Sequence, residues 1–261
     1  LGSGVVAEGA ASRFMARRTV RRLKRQDEAE CAFGRALTAA GIVRFYAPLA
    51  LTSFLSFFIN PLTTFFLARG RMALESLAVL PVIVGLAFVF RTAGIAVQEV
   101  VIALVGDGCE NRGVLNRFTQ RVGFLSTAGL ALFVSTPLAA IWYGRVSGLS
   151  PELTAFSILP GALLTILPFF ESRLAYERGL LVKSHRTAPI SVAVGVQLAV
   201  TIAAFALLIL VLKVNGAVSV GPALTVGYAA GVVILAAVSR AAFAEAPSPA
   251  SSASAVPEAT D

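Results

Sequence analysis

SLAVLPVIVGLAFVFRTAGIAVQEVVIALV, residues 76–105, carries two formal charges, Arg91 and Glu99, in a stretch that otherwise suits hydrocarbon. A bilayer core takes about 20 apolar residues in a helix, so this run is long enough to cross one. It is also continuous, whereas an outer-membrane barrel needs alternating strands of about ten residues. Five further runs of this kind follow the same pattern, at roughly 42–68, 120–144, 153–176, 188–212 and 217–239. In lipid every backbone donor must be satisfied within its own segment, which favours helices. The sequence therefore predicts an all-α fold, a polytopic membrane bundle of six transmembrane helices.

Composition agrees with that reading. Of 261 residues, 57% are hydrophobic and 14% charged, and the mean hydropathy is +0.81, far from the balance of a soluble domain. The net charge of +8 raises the question of nucleic acid, but the basic residues fall between the spans, where the positive-inside rule accounts for them. With a cytoplasmic N-terminus, 17 Lys and Arg residues lie inside and four outside, the outer ones being Arg69, Arg71, Arg145 and Lys213. Arg173 and Arg178 count among the inner set. Both termini are then expected in the cytoplasm of a cell membrane, with the lipid bilayer and not nucleic acid as the partner of the basic segment 13–25.

Three regions are expected: 1–41, the end of a preceding helix plus a basic cytoplasmic connector; 42–240, the six-helix bundle; and 241–261, a disordered Pro, Ser and Ala tail. The opening LGSGVVAEGAASRFMARR reads as the end of a helix leaving the membrane, so a truncated gene product is expected. Cys31 and Cys109 fall on the same, reducing side, which argues against a disulfide. There is no phosphate-cradling glycine loop, paired metal-ligand spacing or nucleophile elbow. With His185 as the single histidine and no paired carboxylates in the spans, neither an enzyme nor a cofactor or metal site is expected.

Function is then sought in the polar residues inside the spans. Ser53, Ser56, Asn60, Thr63 and Thr64 recur at helical steps that place them on one stripe of the first span. Pro61 follows Asn60, and a mid-helix proline leaves the carbonyl at Phe57 without its donor and bends the helix. The rival reading is ordinary packing by small polar side chains. Arg91 lies near the centre of its span, where a charge costs about 2.5–3.5 kcal/mol on insertion scales. A water-lined interior would relieve that cost, and so would a structural ion pair to a neighbouring helix. Gln98 shares Arg91's face, while Glu99 is turned by about 80° and lies about 12 Å further along. Glu99 also sits near the cytoplasmic end, where a solvated interfacial carboxylate is an alternative. The candidate cavity-lining set is Arg91, Asn60, Pro61, Gln98, Glu99, Ser56 and Thr64. Pro160, Gly161 and Pro168 mark a second helix break, Glu171 and Arg173 read as a solvated edge, and the last two spans read as packing helices.

FYAPLALTSFLSFFINPLTTFFLARG (45–70), followed by a span with QEV near its end, resembles the opening of the C-terminal half in the MATE-like flippase superfamily. LPFFESRLAYERGLLVKSHRTAPIS (167–191) resembles a helix junction in that superfamily's progressive ankylosis branch. The likeness spans roughly 42–240, with a stub at 1–25. It implies one six-helix lobe of two, the other being a missing N-terminal half or a second copy, with alternating access at a cleft between them. It further implies secondary active transport, a possible coupling ion, Pro61 as the helix break and Glu99 as the second-span acid. The branch moves small anions such as pyrophosphate or citrate, which agrees with a fixed cation at Arg91. The expected function is export of a small organic or phosphate-containing anion. The alternatives are a cation-coupled drug or lipid exporter and a non-transporting membrane scaffold subunit.

Overall fold

The computed structural model describes residues 57–106, 110–184 and 188–244, together with Ala50, Phe54 and Leu55, and no side chain beyond 241. These belong to one compact unit, residues 45–261. The expectations for 1–41, for the tail, and for Ser53, Ser56, Cys31, Cys109 and His185 fall outside the described residues.

Among the described residues every regular element is helical. They are α1 (Ile59–Leu67), α2 (Ala73–Leu104), α3 (Arg112–Ser135), α4 (Leu138–Ala140) running into a π turn (Ile141–Val146), α5 (Pro151–Leu163), α6 (Leu167–Lys183), α7 (Ala188–Phe205) running into a second π turn (Ala206–Val211), and α8 (Gly216–Ala244). Four stretches are long and apolar enough to cross a membrane: Ala73–Leu104, Pro151–Lys183, Ala188–Val211 and Gly216–Ala241. A fifth is added if α3 and Leu138–Val146, bent by 79°, form one broken span.

Six spans were expected, and the difference has physical causes. The run at 120–144 is not straight. Pro137 cannot continue a helix, and the residue before a proline is driven to extended backbone, as Thr136 is, with φ −104° and ψ 165°. The run at 42–68 is described only over its last part, and α1, with 9 residues, is too short to cross by itself. Pro61 stands in the first turn of α1, where the missing N–H is not needed. The break falls at Phe58, before the proline, and the Phe58 carbonyl accepts from the Leu62 N–H at 3.0 Å.

The fourth run extends beyond its expected end, because α6 continues as helix to Lys183. Its start is also well defined: Ser150 caps α5, accepting from the Leu153 N–H at 3.3 Å, with Pro151 at the first position. Between α5 and α6 the chain turns at residues 164–166, with Pro168 in the first turn of α6.

Helix α6 is the least apolar of the long helices and the best buried. Glu171, Ser172, Tyr176 and Glu177 are all buried along it, while Leu125, Leu132, Val192 and Val233 on other helices are more than 60% exposed. Polar side chains turned inward and aliphatic ones outward are what a hydrocarbon solvent selects. Small residues let α6 approach its neighbours. A Cβ on Gly94 of α2 would lie 2.7 Å from Ser172 Oγ and 3.1 Å from the Ser172 nitrogen, the close approach that glycine permits between helices in lipid.

The loops around 67–75 and 212–218 meet at one end of the bundle. Arg71 pairs with Asn215 in an isolated bridge, the Gly216 N–H donates to the Arg71 carbonyl at 3.2 Å, and the Ala217 N–H donates to Ser76 Oγ at 3.0 Å. This latch fixes the starts of α2 and α8 side by side. Ring stacking of Phe66 on Phe205, with centroids 5.5 Å apart, seats α1 on α7.

Candidate functional site

Between α1, α2, α6, α7 and α8 lies a cavity of about 640 Å³. Its apolar wall includes Leu77, Leu80, Val84 and Phe88 of α2 and Leu224 of α8, and its polar wall carries Asn60, Thr63, Thr64, Arg91, Glu171, Arg178, Gln197 and Tyr228. Arg91 stands 18 residues after the start of α2 and 13 before its end, about 27 Å and about 20 Å at 1.5 Å per residue. It is central to the helix, as its position in the sequence required.

Its charge is met from a neighbouring helix. Both Arg91 Nε, at 3.1 Å, and Nη2 donate to the same Glu171 oxygen, Oε2. Nη2 also donates to the Tyr228 hydroxyl at 2.5 Å, and the guanidinium lies 5.3 Å from the Tyr228 ring centroid. Two donors on one carboxylate oxygen is not the parallel fork that makes arginine pairs strongest. It still gives an intramembrane guanidinium an acid, a hydroxyl and a ring face. The ion-pair alternative for Arg91 and the cavity alternative therefore coexist in one place.

Arg178 is the second cation on that wall. It sits seven residues after Glu171, so the two share a face of α6 about 10 Å apart along the axis. Among the described residues it makes no hydrogen bond or ion pair, and its Nε is buried without a partner. Glu171 and Tyr228 act on it through space. Among the described residues the formal charge of the cavity wall is therefore two guanidinium groups against one carboxylate.

The candidate residues separate into two groups. Arg91, Asn60 and Thr64 line the cavity together. The hydroxyls of Thr63 and Thr64 are spent on their own helix, donating to the carbonyls of Ile59 at 2.7 Å and Asn60 at 3.1 Å. Pro61, Gln98 and Glu99 are not among the lining residues. Pro61 and Glu99 are exposed and Gln98 is half-buried. Glu99 thus occupies the exterior position that an interfacial carboxylate would take. Pro160 and Gly161 are buried but do not line the cavity either.

Sequence reasoning missed Glu171, Arg178, Gln197 and Tyr228. Glu171 read as a solvated edge, yet it is buried at 7% exposure. Arg178 read as a loop cation, yet it lies inside α6. The available signal was their seven-residue spacing, which puts an acid and a base on one face of any helix that continues that far. Gln197 and Tyr228 belong to helices that read as packing alone, although Gln197 is the single amide in the run 188–212.

A second polar cluster on α6 stands away from the cavity. Arg173 donates to Glu177 at 3.2 Å and to Asn116 of α3, and Ser239 of α8 donates to Glu177 at 2.6 Å. The Tyr176 hydroxyl donates to the Arg112 carbonyl at 3.1 Å. Among the described residues no group of three or more His, Cys, Asp and Glu is placed to hold a metal ion. No family model, curated protein or solved structure matches this chain.

Proposed function

We propose that this chain is one helical lobe of a membrane exporter of the MATE-like type, moving a small organic or phosphate-containing anion by alternating access across a cell membrane. The second lobe is an N-terminal half or another copy of the chain, and both termini of this lobe face the cytoplasm. The observation that carries the reading is a cavity of about 640 Å³ whose wall bears two arginines against one glutamate, between helices of membrane-crossing length. An excess cation in a low-dielectric recess attracts a carboxylate or phosphate far more strongly than in water. The cation-coupled alternative has less support, because the one acid among the described residues of that wall, Glu171, is already held by Arg91.

The test is transport of labelled citrate, inorganic phosphate and benzoate by the chain in phosphatidylcholine vesicles, beside a lipophilic cation. Anion flux is expected, with Arg91→Gln lowering it at least tenfold. Undiminished anion flux in that variant, or flux of the cation alone driven by a sodium or pH gradient, refutes the proposal.

A further inference from the structure

A ligand that enters this cavity meets two guanidinium groups of unequal availability. Arg91 has an acid, a hydroxyl and an aromatic face around it. Arg178 has a buried Nε that donates to nothing. A buried donor left without an acceptor destabilises the empty site, and an acceptor that completes it removes that penalty on binding. Among the described residues the wall carries one net positive charge, two arginines less one glutamate, and a single negative charge balances it. The wall formed by Leu77, Leu80, Val84 and Phe88 of α2 offers nothing to a second charge and suits an apolar body.

We propose that Arg178 is the anion-binding residue of this cavity, taking the oxyanion head of an organic monoanion, a carboxylate or the singly ionised form of a phosphate monoester, whose apolar body lies along α2. Arg91 is a positioning residue: it holds Glu171 away from Arg178. Glu171 and Arg178 share a face of α6, so a Glu171 released by Arg91 turns to Arg178 and closes the anion site with the protein's own carboxylate. The guanidinium fork of Arg178 recognises carboxylate and phosphate oxygens alike. Such a head comes from a free organic anion or from an anionic lipid.

This assignment rests on the transport reading of the same cavity, and the two fail differently. The full chain in phosphatidylcholine nanodiscs is titrated with benzoate and with phenyl phosphate. In a parallel arm it is prepared with one-tenth phosphatidic acid, with benzyl alcohol as the neutral control. Binding is read as a rise in Tm and by equilibrium dialysis of the labelled soluble probes. A saturable response to a soluble probe identifies a free anion as the source. A response confined to phosphatidic acid identifies a lipid headgroup.

Arg178→Gln is expected to weaken the responding probe at least tenfold while leaving the ligand-free Tm equal to or above that of the parent chain, because a buried unpaired donor is removed. Arg91→Gln is expected to lose binding as well, and the double change Arg91→Gln with Glu171→Gln to restore it to within about threefold. No response to any anion, an equal response to benzyl alcohol, unchanged affinity in Arg178→Gln, or no rescue in the double variant overturns the assignment. Anion flux that depends on Arg91 but not on Arg178 leaves the transporter standing and removes this inference. Arg178-dependent binding without flux does the reverse.

Discussion

Helix α6 carries two buried acids six residues apart, and the structure treats them oppositely. Glu177 is enclosed: Arg173 on its own helix and Ser239 of α8 hydrogen-bond to it, and it does not line the cavity. Glu171 faces a cavity, meets a guanidinium from another helix, and lies two turns from a second guanidinium whose buried Nε has no hydrogen-bond partner. The first arrangement is complete within the fold, with one charge answering one. The second is one anion short. On the proposed reading, a buried charge that the described fold leaves unbalanced is the place for a ligand, and one that it balances is packing.

The largest expected effect tests that contrast through stability. Glu171→Ala leaves two guanidinium groups unanswered in one recess and is expected to cost about 3–5 kcal/mol, the range for removing one partner of a buried pair. Glu177→Gln keeps an acceptor for Ser239 and loses only the charge, at about 1 kcal/mol. Heat or detergent unfolding of the purified chains measures both. Equal losses would erase the distinction between the two acids.

A smaller effect probes the contact that brings Glu171 to Arg91. Gly94 lies three residues beyond Arg91, and Ser172 directly follows Glu171, so a close approach of α2 and α6 sits beside the ion pair. Gly94→Ala places a methyl against the Ser172 backbone and is expected to cost about 1–3 kcal/mol through overpacking. Part of that loss should appear as weaker anion binding, because the helices separate where Arg91 reaches Glu171. Stability lost with no change in binding would show that the pair does not depend on this contact.

Much of the fold was legible because lipid imposes one rule on every span. The apolar runs at 76–105, 188–212 and 217–239 became α2, α7 with its π turn, and α8, since length and continuity alone decide such segments. Local backbone chemistry was harder to place. Thr136 and Pro137 bend a run that hydropathy reads as uniform, and α6 keeps its helical path beyond the point where its charges suggested a loop.

The site was legible from one side only. Arg91 declared itself by the cost of burying a charge mid-span, and Asn60 and Thr64 by sharing a stripe. Glu171 and Arg178 hid because a charge near the end of an apolar run has a cheaper explanation in water. Only tertiary packing, with α2, α3 and α8 closing around α6, removes that explanation. Glu99 shows the converse: a polar residue in a span need not face inward, since it is exposed and lies outside the cavity lining.

The central claim is that this cavity is wetted and favours anions, and thiol accessibility tests it most directly. In a background with Cys31 and Cys109 changed to Ser, single cysteines at Thr64 and Val84 on the cavity wall are compared with Leu132 on the exposed apolar surface and Ser239 in the closed cluster. Each is treated with a negatively and a positively charged methanethiosulfonate of similar size. A hydrated anion site predicts that positions 64 and 84 react at least tenfold faster than 132 and 239, with the negative reagent favoured, and that Arg178→Gln abolishes the preference. Cavity positions as unreactive as Ser239, or a preference for the positive reagent, would contradict it.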